Sequence, residues 1–146
     1  MTVPEITTTT RALPIDGTAT ILADAARYLA RHGWISTGLY NAHSGCTRKC
    51  RCHVTGTYPA SIIGAIRYAV YGLPRWYLDL TSDSDLHAYT AAVEWLNTYL
   101  IAVGHAGQHS PLFAWQTSPG RTTADVLGAL RDAATAYRRH SSRRAA

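Results

Sequence analysis

Three cysteines and two histidines fall within eleven consecutive residues, from His43 to His53, in the order His-Ser-Gly-Cys-Thr-Arg-Lys-Cys-Arg-Cys-His. Thiolate and imidazole are ligands zinc favours, and a short loop with ligands two or three residues apart can wrap a tetrahedral ion. Two ligand sets are open. His43-x-x-Cys46 and Cys50-x-x-His53 form a symmetric pair of spacings, whereas Cys46, Cys50 and Cys52 joined by one histidine supply more thiolate. The segment therefore reads as a structural zinc clip with His43, Cys46, Cys50, Cys52 and His53 as its ligand candidates. Without metal it is a basic loop whose cysteines are free or joined in one disulfide. Arg48, Lys49 and Arg51 lie inside the clip, where they would offset a negative zinc-thiolate centre or touch phosphate. A cysteine nucleophile activated by His53 is a weaker reading, because residues adjacent in sequence rarely take the geometry it needs.

Other chemistry is sparse. His105-x-x-x-His109 has the spacing of two ligands on a helix, yet Gly104 and Gly107 place it in a loop. The tryptophans Trp34, Trp76, Trp95 and Trp115 read first as core material. Trp34 and Trp115, with Arg121, are also the residues from which a binding pocket would be built. No glycine-rich phosphate loop, no Ser-His-Asp order and no pair of carboxylates on one helix face occurs. No catalytic residue is assigned.

The chain of 146 residues is long enough for one domain that buries roughly two thirds of its unfolded surface. Its 47% hydrophobic and 16% charged residues favour a packed core over disorder. The net charge of +5 is only weak support for nucleic acid, since Arg138, Arg139, Arg143 and Arg144 concentrate it at the C-terminus. The odd cysteine count and the lack of an apolar leader after Met1 lead us to expect a reducing, cytoplasmic setting. Even the apolar run Leu96 to Val103 is short and holds Asn97 and Thr98, so no membrane span is expected.

Helical periodicity organises the rest. Residues 1–15, rich in Thr with Pro4 and Pro14, form a flexible arm; residues 16–140 form a single helical domain; residues 141–146 form a basic, frayed tail. A first helix over 18–32 is capped by Asp16 or Thr18, buries Ile21, Leu22, Ala25, Ala26 and Leu29, and stops at Gly33. The glycine-rich stretch 34–58 is a loop or short hairpin carrying the cysteines. Pro59 suits the first turn of a second helix over 59–71, ended by Gly72 and Pro74. Ser84 caps a third helix, 84–103, with the longest apolar face, and Gly104 ends it. The run 105–120 crosses the surface and sends one or more aromatics into the core. Thr122, with Asp125 three residues on, resembles a capping box for a last helix over 122–139, whose stripe is Val126, Leu127, Leu130, Ala133, Ala134 and Tyr137. The expectation is an all-α fold: a small bundle of about four helices with an irregular Cys/His-rich insertion between helices 1 and 2.

Three stretches stand out: Arg-His-Gly-Trp at 31–34, Ile-Ile-Gly-Ala-Ile-Arg at 62–67, and Trp-Gln-Thr-Ser-Pro-Gly-Arg-Thr with Asp-Val-Leu across 115–127. Together they resemble a family of small domains of unknown function found in actinobacteria and their phages. Such proteins carry Trp-Asn-Asp before the Pro-Gly-Arg-Thr, and here Gln116 and Thr117 follow Trp115 instead. The cysteine-rich insertion is particular to this chain, so the resemblance implies no metal site. It implies a fold and an origin, not an activity.

The leading expectation is a small non-catalytic binding or regulatory protein, phage-encoded and acting on a host macromolecule through a protein partner. The first alternative is a nucleic-acid-binding protein that uses the basic clip and the arginine tail. The second is a small nucleotide-binding protein or enzyme with its site among Trp34, Trp115 and Arg121. Zinc is the one cofactor expected, a membrane is not a partner, and self-association is left open.

Overall fold

A computed structural model describes residues 14–41, 58–74, 83–104 and 111–145. Five helices lie among them: α1 (Pro14–His32), α2 (Ile62–Tyr71), α3 (Asp83–Ala102), α4 (Pro111–Gln116) and α5 (Thr123–Ala145). The fold is all-α, and among the described residues only isolated bridges, not strands, pair the extended backbone. None of these helices is long and apolar enough to cross a membrane.

α1 is the central helix and packs against α2, α3 and α5. Ala19, Leu22, Ala26 and Leu29 repeat at three- and four-residue steps, and all are fully or almost fully buried. Its most extensive partner is α5, which turns Val126, Ala129, Leu130, Ala133 and Ala134 inward. Alanine-rich faces on both helices leave little side-chain bulk between the two backbones. α3 contributes Ala92, Leu96 and Leu100 to the same core. Trp95 fastens α3 to α5: its Nε1 donates to the Ala133 carbonyl at 2.9 Å, and its ring meets Tyr137 edge-on at 5.0 Å. Arg67 of α2 spans to α3, its guanidinium 5.4 Å from the centre of the Tyr89 ring.

Between α1 and α2 the chain forms a clasp. Ala60 sits between two arms of the preceding loop: its N–H donates to Gly33 O at 3.0 Å, and its carbonyl accepts from Ile35 N at 2.9 Å. On the other side Asn41 N donates to Pro59 O at 2.8 Å and Ser61 N to Leu39 O at 2.9 Å. The first arm leaves α1 through Gly33, whose φ of 102° is a conformation that residues with a side chain rarely take.

Several expected boundaries move, each for a physical reason. Pro59 does not open α2, because its carbonyl is committed to Asn41 and the chain stays extended to Ser61. The cap is Ser61, whose hydroxyl accepts from Gly64 N at 3.1 Å. α1 begins at Pro14, so Thr18 lies within the helix, 4% exposed, rather than at its cap. Ser84 likewise falls inside α3, which begins at Asp83. The expected connector 105–120 holds a helix, α4, because the Asn97 side chain of α3 accepts from Leu112 N at 3.0 Å and caps it from outside. The tail expected from residue 141 is helical to Ala145, where Arg143 and Arg144 complement the negative end of the helix dipole.

Candidate functional site

Gln116 is the polar pivot of the molecule. It ends α4, is 4% exposed, and its Oε1 accepts both the Ile62 backbone N–H at 2.8 Å and the Trp34 Nε1–H at 3.2 Å. One carboxamide oxygen thus ties α4 to the first turn of α2 and to the loop that leaves α1. The Ile62 N–H is among the donors at the start of a helix that have no partner within the helix. Because both partners are obligate donors, the oxygen must face them and Nε2 must face away.

On the other side of Gln116 lies a cleft of about 310 Å³. Leu39, Ile63, Val93, Leu112 and Phe113 give it apolar walls, and Thr37, Ser61, Asn97 and Gln116 supply its polar atoms. None of these side chains is ionisable. Four separate elements meet here, so the cleft exists only in the folded chain. The Leu39 wall is held against α2 by a close approach at Gly64: a side chain there would overlap the Leu39 carbonyl oxygen, while Tyr40 Oη donates to Gly64 O at 2.8 Å. Phe113 stands at the cleft 61% exposed. Val93, Asn97 and Ile101 form one four-residue row along α3, and Ile101 is 51% exposed.

The structure brings Trp34, Trp115 and Arg121 into one neighbourhood without making them the lining of this cleft. Trp115 is 3% exposed, with the Arg121 guanidinium stacked 4.2 Å from its ring centre. Arg121 Nε also donates to Trp115 O at 2.9 Å, and its Nη1 lies 3.9 Å from Asp125 Oδ2. Trp34 reaches the cleft only through its bond to Gln116. His43, Arg48, Lys49 and Arg51, with Cys46, Cys50, Cys52 and His53, all lie outside the described residues, as do Trp76, His105 and His109. Among the described residues no three His, Cys, Asp or Glu side chains gather as a metal site.

The stems of the cysteine-bearing segment are described, and they are held together. Asn41 is bonded to Pro59, and Tyr28 Oη donates to Tyr58 O at 2.7 Å while accepting from Tyr58 N at 3.0 Å. Tyr28 stacks on Tyr68 and His32, with ring centres 4.5 and 4.7 Å away. Burial pushes the Tyr28 hydroxyl up to about 12, against the opposing pull of the Tyr58 backbone bond. Burial, and then the charge of Arg31, lower the His32 pKa.

Sequence reasoning passed over Gln116 and Asn97 as site residues. The signal was faint but present: each is a carboxamide beside a large apolar residue, Gln116 after Trp115 and Asn97 after Leu96. Residues 14–136 match the profile of a family of unknown function (DUF6197), and the chain belongs to that family. No curated protein and no solved structure matches the chain.

Proposed function

We propose that this chain is a small non-catalytic binding protein and that the cleft beside Gln116 is where it meets its partner. The observation that carries this reading is a concave, apolar site whose lining includes no ionisable group, with Phe113 standing 61% exposed beside it. General acid-base and nucleophilic catalysis need titratable groups at hydrogen-bond reach of the reacting atoms. Binding needs a buried anchor and a rim that excludes water. An exposed aromatic on a short, externally capped helix suits the second task. The partner in this reading is a protein, and the small size of the chain is what favours a regulatory role on a host macromolecule.

The same reading includes a structural zinc clip between His43 and His53, with ligands drawn from His43, Cys46, Cys50, Cys52 and His53. Its support is the stem geometry: Asn41 bonded to Pro59 and Tyr58 pinned by Tyr28 let a metal organise the segment without carrying the helical core. A nucleic-acid-binding role has one observation in its favour. Arg138, Arg139, Arg143 and Arg144 are exposed on the helical end of α5.

A random peptide library selected on the wild-type protein, with the enriched peptides then assayed on both wild type and Phe113→Asp, tests the reading. Enrichment of apolar peptides that bind wild type and not Phe113→Asp is expected. Enriched peptides that bind both proteins equally would overturn it. Tight binding of duplex DNA that weakens steeply with salt and ignores Phe113→Asp would favour the arginine-bearing helix instead.

A further inference from the structure

The two carboxamides in the cleft share a pattern that packing alone does not require. Gln116 Oε1 is taken by Ile62 and Trp34, and Asn97 Oδ1 is taken by Leu112. All three are obligate donors, so each amide is locked with its NH2 group on the opposite side. Among the described residues nothing accepts from either NH2 group. Gln116 is more than nine-tenths buried, and both residues line the same cleft. An acceptor on a ligand seated in the cleft would use the donor capacity that both amides leave open on that side.

We propose that the Gln116 and Asn97 NH2 groups receive a main-chain carbonyl of a partner polypeptide whose neighbouring apolar side chain fills the cleft. The inference rests on the binding reading above and adds the chemistry by which the cleft selects. A neutral acceptor is favoured over a carboxylate or phosphate, because the lining offers no cation to offset the desolvation of a charge. The cleft, at about 310 Å³, falls within the ~300–1,000 Å³ range of small-ligand pockets, so it is the surface around it that favours a polypeptide over a free small molecule. The apolar surface continues outward, through Phe113 at the rim and Ile101 one turn along α3, both more than half exposed.

The test titrates N-acetyl-leucine methylamide, one residue with its flanking amides, into the nitrogen-15-labelled full chain. The side-chain NH2 resonances of Gln116 and Asn97 report directly. They are assigned from Gln116→Glu and Asn97→Asp, each of which keeps the structural acceptor oxygen and removes the donor. The expected result is that both NH2 signals shift, and that affinity falls about tenfold in either variant, the size of one lost hydrogen bond. Toluene, apolar and without an acceptor, is expected to bind more weakly than the amide. Asn97→Asp carries the test if Gln116→Glu does not fold. NH2 signals that stay in place, toluene binding as tightly as the amide, or unchanged affinity in the variants would each overturn the inference. A library-selected peptide that requires Phe113 but tolerates both carboxamide variants would keep the binding reading and remove this one.

Discussion

Replacing Gly64 by alanine tests the joint between the clasp and α2, on which one wall of the cleft depends. A Cβ at this position would overlap the Leu39 carbonyl oxygen and lie 3.1 Å from both the Leu39 carbonyl carbon and Tyr40 Cε1. Two of those three atoms are backbone, so no rotamer change relieves the overlap and the 39–40 arm must retreat. That retreat stretches Ser61 N to Leu39 O, now 2.9 Å, and Tyr40 Oη to Gly64 O, now 2.8 Å. Leaving two buried groups unsatisfied costs about 2–6 kcal/mol in total, at about 1–3 kcal/mol each. Alanine returns about 1 kcal/mol of helix propensity. The net loss is about 3 kcal/mol, which lowers the melting temperature of a domain this size by roughly 6–12 °C. Gly128 in α5 is the internal control, since nothing lies within 4 Å of a Cβ placed there. Gly128→Ala is expected to gain up to about 1 kcal/mol. Thermal unfolding followed by helical circular dichroism reads both variants. Gly64→Ala melting at or above the wild-type temperature would refute the close-approach argument.

Three further perturbations probe other joints. Thr122 N donates to Asp125 Oδ2 at 3.0 Å and Asp125 N to Thr122 Oγ1 at 3.1 Å, a reciprocal cap, so Thr122→Ala is expected to cost about 1 kcal/mol in urea unfolding. Tyr28, held at about 12 by burial against an unfolded value of 10.0, stays protonated in the folded chain above the pH at which the unfolded chain ionises. Its contribution is therefore fully present below pH 10.0 and is lost as pH rises to about 12, up to roughly 2–3 kcal/mol, and Tyr28→Phe is expected to flatten that part of the stability profile. Protein purified without added metal is expected to carry close to one zinc per chain; stripping it is expected to leave most of the helical signal, and elemental analysis of freshly reduced protein that finds no metal would remove the clip.

What the sequence made legible is what depends on local pattern. The apolar stripes of α1, α3 and α5, the helix stops at Gly33, Gly72 and Gly104, and the Thr122–Asp125 cap all arise from residues three or four apart. What escaped depends on partners distant in the chain. α4 is capped by Asn97, fifteen positions before Leu112. Pro59 is kept out of α2 by its bond to Asn41. Gln116 acts through Ile62 and Trp34, which lie 54 and 82 residues away. The Ile-Ile-Gly-Ala-Ile-Arg motif was visible as a motif, but the need for Gly64 within it appears only when Leu39 is placed against α2.

Phe113 is proposed to be exposed in order to be covered by a partner, and two paired measurements on Phe113→Asp decide it. A residue 61% exposed on a short helix contributes little to the core, so the variant is expected to melt within about 0.5 kcal/mol of wild type. Calorimetry with a library-selected peptide is then expected to show binding to wild type with a negative heat-capacity change, the mark of apolar burial, and no measurable heat with the variant. Equal binding to both proteins, with Phe113→Asp folded, would contradict the account.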